Sequence, residues 1–508
     1  MHEVELKFQV PARQRDAVDA AVAGPAPVRR VRLQAAYFDT PQRTLAAAGL
    51  ALRVRREGRR WVQTLKGAAE DGMTRLEHNV PISPTASQVP LANPTLHAGT
   101  PAGDRLLALL QATPESALAV LFRTDILRRS RLLSTPQGTV ELAFDEGRIV
   151  ADDRTLAVCE LEIELKSGSP LAVIDTARLW LPRHALWLDS RSKAERGDLL
   201  SRGLPMAPPR RLRPVRLRAD MSGPEAAQAV VRACAEQVVA DASQIASDRY
   251  AVEHVHQLRV GLRRLRSGMK LLNLTDAQPA LEAAARSLFR QLGAVRDRDV
   301  QAGPMALQVQ AALDSTSEPP LLLRWPSGPA GPSPATLVRD AAAQAMLLDL
   351  LASCVTPVSN GSAENGDADS AKVAGKPPKL RKLLARRLAR WHRQITLEAG
   401  RYAALGDDAR HELRKRVKRQ RYAVEFSASL FKRRDVRRYV RLLRDLQDRL
   451  GELNDVAMAQ QTWKEHGGTD TTAWFVLGWL AARRDALLLQ AQPACDRFGK
   501  AKPFWKRD

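Results

Sequence analysis

The stretch Glu3-Val-Glu-Leu-Lys-Phe8 alternates charged and apolar side chains one residue at a time. Because successive side chains of a β-strand point to opposite faces, Glu3, Glu5 and Lys7 share one face while the apolar residues cover the other. Two carboxylates beside an ammonium group can hold a metal ion next to an anion. These residues therefore predict a strand whose polar face carries chemistry.

The same two-residue period returns in Cys159-Glu-Leu-Glu-Ile-Glu-Leu-Lys166, where three carboxylates alternate with aliphatic side chains. Carboxylates this close repel one another unless cations lie among them, and oxygen-rich sites suit Mg²⁺ or Mn²⁺ better than zinc. Other alternating segments bring further charges to one face: Arg53 with Arg55, Lys66, Arg75 with Glu77, and Glu141 with Asp145.

A single alternating strand is ordinarily solvated surface. Several of them, with acidic faces and basic faces, predict instead a closed sheet that lines a channel with both charge signs. Such a channel suits a polyanion carried with its metal, since carboxylates hold Mg²⁺, the metal bridges phosphate oxygens, and Arg and Lys neutralise the remaining charge.

These residues resemble the CYTH domains, also called triphosphate tunnel metalloenzymes. The resemblance covers residues 1 to about 200 and implies an eight-stranded antiparallel barrel whose tunnel binds a triphosphate with one or two divalent ions. The motifs that carry it are Glu3 to Lys7, Tyr37-Phe-Asp-Thr-Pro41, Leu52-Arg-Val-Arg55, Thr64-Leu-Lys66, Arg75-Leu-Glu77, Phe122-Arg-Thr-Asp125 with Arg128, Glu160 to Glu164, and Ser192-Lys-Ala-Glu-Arg-Gly197.

The resemblance implies a role for each set of tunnel residues. The side chains that grip phosphate would be Lys7, Arg53, Arg55, Lys66, Arg75, Arg128 and Lys193. Those that hold metal or orient the attacking water would be Glu3, Glu5, Glu77, Glu141, Asp145, Glu162 and Glu164. We assign catalysis to Glu3, Glu5, Lys7 and Lys66, and the sequence leaves the proton acceptor open. Mg²⁺ is the expected cofactor, with Mn²⁺ as the alternative.

Family members hydrolyse inorganic triphosphate, hydrolyse thiamine or nucleoside triphosphates, or cyclise ATP. Aromatic residues make up only 5% of this chain, and the barrel half offers few rings to stack on a base beyond Tyr37, Phe38 and Trp61. We therefore expect hydrolysis of inorganic triphosphate to diphosphate and phosphate. A triphosphatase or cyclase acting on ATP or thiamine triphosphate is the alternative.

The excess of basic residues belongs to the C-terminal part of the chain. The whole chain has 79 Lys and Arg against 56 Asp and Glu; residues 1–200 hold 27 and 24 of them, so residues 201–508 hold 52 and 32, a net charge of +20. This excess of positive charge is typical of a domain that binds a polyanion, such as nucleic acid, an anionic membrane or polyphosphate. Long stretches rich in Ala, Leu, Arg and Glu predict that it is helical.

This helical part contains an internal repeat. Two segments each predict a helix with a stripe of one His and three bases at positions i, i+3, i+7 and i+10. These two basic stripes are His256, Arg259, Arg263 and Arg266, and His411, Arg414, Lys418 and Arg421. A solvated basic face is the usual explanation for one such helix. Because like charges destabilise a helix and the register is duplicated, we expect an anion to lie along both stripes.

The repeat resembles the CHAD domain, a helical module often found behind a CYTH domain. The resemblance covers residues from about 220 to 500 and implies a binding domain for inorganic polyphosphate, made of two facing four-helix bundles. Each stripe is followed by a second matching motif, which ends at Asp297 and at Asp455. We expect these two carboxylates to orient the arginines.

The predicted fold class is a multidomain α+β chain. A CYTH barrel at 1–202 is followed by a basic, Pro-rich linker at 203–219 and a helical CHAD domain at 220–500. The two helical repeats span about 220–320 and 376–500, with a disordered insertion at about 357–378. In the first hypothesis, the helical half tethers a triphosphatase to polyphosphate; in the second, the whole chain is a polyphosphate-binding adaptor without efficient turnover.

Several other classes are disfavoured by the sequence. Four widely spaced cysteines argue against a zinc site or a disulfide framework, and no apolar run approaches the ~20 residues of a membrane span. The first residues form a charged strand, not a signal peptide, so we expect a cytoplasmic protein. No base-reading motif or stacking cluster favours a nucleic-acid partner. The oligomeric state is left open.

Overall fold

The computed structural model describes two compact units. Residues 2–24, 27–68, 74–83, 90–112, 117–300, 305–316, 322–326, 331–356, 379–466, 468 and 470–506 are described. The predicted insertion at 357–378 and the side chains of Arg75 and Asp297 lie outside the described residues. The first unit comprises Met1–Arg211, Ala235–Leu258 and Pro334–Thr356; the second comprises Leu212–Cys234, Arg259–Ser333 and Pro357–Asp508.

The first unit contains a closed antiparallel β-barrel. Its strands are β1 (His2–Gln9), β2 (Arg29–Asp39), β3 (Leu50–Glu57), β4 (Arg60–Ala68), β5 (Thr74–Ile82), β6 (Ala119–Thr135), β7 (Gly138–Ala151), β8 (Arg154–Gly168) and β9 (Trp187–Leu188). They are ordered β5-β4-β3-β2-β6-β7-β8-β1-β9, and β1 also pairs with β5. Eight strands thus close the barrel and β9 lies beside β1, which confirms the predicted fold.

Strand β1 completes the barrel by pairing with three strands. Its first residues pair with β5, with Glu3 opposite Arg75. Its later residues pair with β8 on the other side, with Lys7 opposite Glu162, and its end pairs with β9, with Phe8 opposite Leu188. The alternation that opens the chain therefore directs its charges into the barrel, while Phe8 is buried on the outer side.

Five helices cover the outer face of the barrel in the described residues: α1 (Arg15–Ala23), α2 (Thr44–Ala47), α3 (Pro101–Gln111), α4 (Leu171–Arg183) and α5 (Lys193–Ser201). Leu45 of α2 and Leu106 of α3 pack on Leu52 and Leu65 in one buried cluster. Helix α5 begins with a capping box, in which the Ser192 hydroxyl accepts from the backbone N–H of Glu195. This cap fixes the point where the chain re-enters the barrel.

The C-terminal part is helical, as predicted. Its helices are α6 (Gly223–Ala246), α7 (Val252–Leu272), α8 (Pro279–Val300), α9 (Ala306–Asp314), α10 (Pro334–Arg339), α11 (Ala341–Val355), α12 (Leu380–Ala399), α13 (Asp407–Ser427), α14 (Arg433–His466) and α15 (Thr471–Gly499). In the second unit, α12 packs on α13, α13 on α14, α14 on α15, and α15 back on α12. These four helices form a closed bundle around His392, whose Nδ1 lies 2.9 Å from the Tyr439 hydroxyl.

The segment between the barrel and α6 has neither helix nor strand from residue 202 to 222. Within the first unit, the Arg210 backbone N–H donates to Asp241 Oδ1 over 2.8 Å. His254 Nε2 lies 2.9 Å from the carbonyl oxygen of Ala207, which can only accept. Side chains of α6 and α7 therefore hold this segment.

Among the helices that the structure describes, none combines the length and the apolar character that a membrane crossing needs.

Candidate active site in the barrel

The barrel encloses a cavity of about 340 Å³ that alternate strand residues line. Among the described lining residues, eight are carboxylates: Glu3, Glu5, Glu57, Glu77, Glu141, Asp145, Glu162 and Glu164. Eight are cations: Lys7, Arg29, Arg53, Arg55, Lys66, Arg128, Lys166 and Lys193. All the predicted metal carboxylates line the cavity, as do the predicted phosphate-gripping residues other than Arg75. The described lining is formally electroneutral.

Three carboxylates form a row across neighbouring strands. Glu164 of β8 lies opposite Glu5 of β1 on one side and opposite Glu141 of β7 on the other. Lys166, absent from our predicted site, joins this row through Nζ, 2.8 Å from Glu141 and 2.7 Å from Glu164. Burial raises the pKa of Glu164. Cross-strand neighbours lie about 5 Å apart, so a hard divalent cation fits this row of oxygen donors.

A second acidic group surrounds Lys66. Its Nζ lies 2.6 Å from Glu3 and 2.9 Å from Glu77. Burial, reinforced by the neighbouring Glu5, raises the pKa of Glu3 to about 8. Burial opposes ionisation of Glu77 as well, but Lys66 and a hydrogen bond with Glu3 lower its pKa. The carboxylates outnumber the cation here, and a bound metal would relieve their repulsion.

A third group gathers Asp145 and Glu162 around two cations. Arg128 holds Asp145 with two parallel bonds, Nε to Oδ1 and Nη2 to Oδ2, each 2.6 Å long, and also contacts Glu162. Lys193 Nζ lies 2.6 Å from Asp145 Oδ2 and 2.9 Å from Glu162 Oε1. Burial opposes ionisation of Glu162, but Lys193 and Arg128 hold its pKa well below the usual range.

Glu160 completes this third group, and the sequence analysis did not assign it a role. It is fully buried and contacts both Lys193 and Arg196. One oxygen from each of Asp145, Glu160 and Glu162 lies within 4.8 Å of the other two, an arrangement that could hold a metal ion. Because their cations already neutralise these carboxylates, a metal would have to displace Lys or Arg. Position 160 shares the two-residue period of Glu162, and that period was its available signal.

In contrast to these three acidic groups, the tunnel wall around Arg53 and Arg55 is rich in cations. Arg53 Nη1 donates to the Tyr37 hydroxyl over 3.3 Å, and Arg55 pairs with Glu57. The Nε atoms of both arginines have no hydrogen-bond partner among the described residues. Burial and the adjacent Arg53 lower the pKa of Arg55 to about 10. This wall of the tunnel therefore favours an incoming anion.

Outside the barrel, the first basic stripe lies on α7, as the spacing predicts. Arg259 is only 7% exposed, and its Nη1 donates to the carbonyl oxygens of Leu292 (3.2 Å) and Gly293 (3.1 Å) on α8. Arg259 and Arg263 both lie over the ring of Phe289, 4.9 Å from its centroid. The remaining members are half-buried: His256 and Arg266.

The second basic stripe, on α13, contacts α14 in a similar way. His411 Nδ1 lies 2.7 Å from Asn454 Oδ1, and Arg414 Nη2 lies 3.9 Å from Asp455 Oδ1. Arg421 Nε donates to Gln447 Oε1 over 2.8 Å, and Lys418 is half-buried. Apart from the exposed His411, neither stripe is a freely solvated face. Within the second unit, Arg264 joins the motif helices by stacking over Tyr422, 5.3 Å from its centroid.

Comparison with protein families agrees with this division into a charged barrel and a basic helical part. The family model described as "CYTH domain" matches residues 1–197, and the model described as "CHAD domain" matches residues 229–464. The chain therefore contains a CYTH domain over residues 1–197 and a CHAD domain over residues 229–464.

Among curated proteins, the inorganic triphosphatase of Haemophilus influenzae is 32% identical over 169 residues, which cover 32% of this chain and 44% of that protein. The match thus spans less than half of the relative. Among solved structures, the CHAD domain of the plant Ricinus communis is 25% identical, covering 57% of this chain and 96% of that one, with a TM-score of 0.41.

A second solved structure is a putative adenylyl cyclase from Hippeastrum, described as having a dominant triphosphatase activity. It is 20% identical and covers 40% of this chain and 96% of that one, with a TM-score of 0.30.

Proposed function

We propose that the barrel hydrolyses inorganic triphosphate to diphosphate and phosphate with a bound divalent cation. The observation that carries this proposal is the set of eight carboxylates and eight cations among the described residues that line one cavity. A charge-balanced tunnel gives no net attraction to a bare polyanion, whereas a polyanion partly neutralised by metal suits it. The relation to a curated inorganic triphosphatase supports the same substrate.

The lining also favours an inorganic substrate over an organic one. Of the described lining residues, only Tyr37 is aromatic, and its hydroxyl is engaged with Arg53. A nucleotide base or a thiazole ring would find no pair of rings to stack between. The predicted alternatives, ATP and thiamine triphosphate, are therefore the less favoured substrates.

The metal ligands would come from the row Glu5, Glu141 and Glu164, together with Glu3. Mg²⁺ suits this set of carboxylate oxygens, and Mn²⁺ is the alternative. When bound, the cation would supply positive charge that offsets the charge of the phosphates and a Lewis acid that orients water. Arg55, Arg128 and Lys193 would then exchange carboxylate partners for phosphate oxygens, and Arg53, which donates to the Tyr37 hydroxyl, would bind phosphate beside them.

The reaction would be an in-line displacement at the terminal phosphorus. The water oxygen forms the new P–O bond, the bridging P–O bond breaks, and diphosphate leaves with the electron pair. Burial would lower the pKa of Lys66, but Glu5, Glu3 and Glu77 raise it, so this ammonium keeps its proton and stabilises charge. We therefore favour a carboxylate, Glu5, as the acceptor of the water proton, since the raised pKa of Glu3 keeps that group protonated at neutral pH.

We propose that the CHAD domain binds inorganic polyphosphate through the two basic stripes. The stripe cations are half-buried against α8 and α14, an arrangement that orients guanidinium groups before an anion arrives. Residues 201–508 carry a net charge of +20, which favours a polyanion over a neutral ligand. The helical half would then tether a cytoplasmic triphosphatase to polyphosphate.

The test is phosphate release from inorganic triphosphate, ATP and thiamine triphosphate, each with Mg²⁺ and with excess chelator. Wild type should act fastest on inorganic triphosphate, and the chelator should abolish the release. Glu5→Gln should lose at least about 100-fold in rate because a donor to the metal is removed.

Glu146→Gln is the matched control, since Glu146 faces away from the tunnel and pairs with Arg15. It should retain wild-type turnover. Equal turnover by Glu5→Gln and wild type would contradict the tunnel as the active site. No release from any substrate, with tight binding of long polyphosphate, would establish the adaptor hypothesis instead.

A further inference from the structure

We propose that Ser243 of α6 and Gln344 of α11 position the tunnel residue Lys193. Both belong to the compact unit that contains the barrel, although both lie in the part of the chain that matches the CHAD family. They act on residues 187–192, the segment that leads from β9 into α5. The kinetic consequence of this positioning rests on the proposed function, whereas the positioning itself does not.

Gln344 and Ser243 are fully buried and bond the backbone of this segment. Gln344 Oε1 accepts from the N–H of Leu188 over 2.8 Å, and its Nε2 donates to the carbonyl of Val338 over 2.8 Å. Ser243 Oγ accepts from the N–H of Ser190 over 3.0 Å and donates to the carbonyl of Leu188 over 3.3 Å. A buried backbone group that loses its hydrogen-bond partner destabilises the folded state, so these bonds restrain the segment.

The remainder of the segment is fixed up to Lys193. The N–H of Asp189 donates to the Lys7 carbonyl over 2.9 Å. Arg191 donates to both carboxylate oxygens of Asp189, each over 2.8 Å, and its Nη1 donates over 3.0 Å to Ser247, the residue that follows α6. Ser192 then caps α5, and Lys193 is its first residue. The backbone that carries Lys193 is thus held on both sides.

A second route reaches Lys193 through its carboxylate partner. Gln9 Nε2 lies 3.1 Å from Asp189 Oδ2 and 3.2 Å from Glu160 Oε2, and Glu160 contacts the Lys193 ammonium. A shift of the 187–192 segment would therefore disturb both the backbone and the ion pairs of Lys193. Displacing a positioned group by about 1 Å can cost on the order of 100-fold in rate.

The experiment measures the position of Lys193 directly in the full-length chain. Purified wild type, Ser243→Ala and Gln344→Met are labelled with acetic anhydride, and the labelling rate of each lysine is followed by mass spectrometry. Lys193 should be labelled several-fold faster in both variants. Lys66 and Lys166, which line the same tunnel, should keep their wild-type rates.

Thr176→Val is the matched control, because the buried Thr176 hydroxyl donates to Ala172 within its own helix over 2.7 Å. It should leave Lys193 labelling unchanged. Ser243→Thr, which keeps the hydroxyl, should restore slow labelling. In turnover of inorganic triphosphate, Ser243→Ala should raise KM about 10-fold with a smaller change in kcat, since Lys193 is proposed to bind phosphate.

Unchanged Lys193 labelling in Ser243→Ala or Gln344→Met would overturn the proposal, and so would an equal increase at every tunnel lysine, which would indicate general loosening. If one variant fails to fold, the other decides. Absence of triphosphatase activity in wild type would reject the proposed function alone, and the labelling rates would still decide the positioning role.

Discussion

Arg128 in the tunnel and Arg259 in the first basic stripe are held by different partners. In the tunnel, Arg128 is clasped by Asp145 and also contacts Glu162. On α7, Arg259 is held by backbone carbonyls and an aromatic face. Carboxylate partners cancel positive charge, whereas carbonyls and rings orient a guanidinium and leave its charge in place.

This difference explains how one chain is proposed to bind inorganic triphosphate and long-chain polyphosphate in different ways. A balanced site is expected to bind its anion only with a metal, and burial protects it from salt. A site that keeps its charge is expected to bind a polyanion directly and to weaken as salt rises. Mutations at matched positions separate these two behaviours.

The largest expected effect is on stability, from Arg128→Met. Removal of the guanidinium leaves Asp145 fully buried and Glu162 nearly so, with Lys193 as their shared cation. Uncompensated buried charge costs about 3–5 kcal/mol in unfolding free energy, measurable by urea denaturation at neutral pH. A loss below about 1 kcal/mol, as for surface pairs, would contradict the role of carboxylates in holding the tunnel cations.

The next effect concerns polyanion binding by the stripes. Arg259→Ala combined with Arg414→Ala should weaken binding of long-chain polyphosphate and lower the slope of log affinity against log salt by about 2. Binding by wild type should persist in excess chelator, unlike turnover in the tunnel.

The control is Arg59→Ala with Arg60→Ala, which removes the same charge from an exposed hairpin of the barrel. Its salt slope should equal that of wild type. If both double variants lowered the slope equally, net charge would explain the binding and the stripes would not be the site.

A smaller effect tests a buried carboxylate for which burial outweighs the charge of its nearest cation, Arg210. Burial raises the pKa of Asp241 to about 7, and its Oδ2 has no partner among the described residues. Because the folded state then holds a proton that the unfolded state releases, stability should fall as pH rises from about 4 to 7. Asp241→Asn should remove this part of the pH dependence and stabilise the protein at pH 8 by on the order of 2 kcal/mol. A pH profile of unfolding parallel to wild type would contradict this.

The smallest effect is expected at a surface copy of the tunnel pair. Arg32 holds Asp125 with the same two parallel bonds, 2.7 and 2.6 Å long, on the outside of the barrel. Since solvent screens this exposed pair, Arg32→Met should leave the urea midpoint within experimental error of wild type. A loss as large as that of Arg128→Met would mean that geometry, not burial, sets the strength of these pairs.

Much of the fold and of the tunnel lining could be predicted from the sequence. The two-residue alternation identifies which side chains share a face, and closure of the sheet then brings those faces together, as the seven carboxylates predicted to bind metal show by lining one cavity. The helical period likewise placed the stripe residues on α7 and α13.

The rest of the site depends on how deeply each side chain is buried and on contacts between residues that are far apart in the sequence. No local sequence pattern encodes either property. Period two cannot distinguish Glu160, sealed behind Lys193 and Arg196, from Glu164, which lines the open cavity. No sequence motif indicates that the side chains of Ser243 and Gln344 hydrogen-bond to the backbone of residues 188–190. The metal, the substrate and the polyphosphate ligand remain proposals for the same reason, since they depend on binding chemistry.

The closure of the barrel by β1 bears on how the chain folds during synthesis. Strand β1 is synthesised before β8 and β9, with which it pairs, and these partners are the last two strands of the sheet along the chain. Contacts of such high sequence separation slow folding, because a long loop must close before they stabilise anything. Until then β1 presents unpaired edges and an apolar face that includes Phe8. Strand β1 is therefore exposed to aggregation or chaperone capture until the barrel closes.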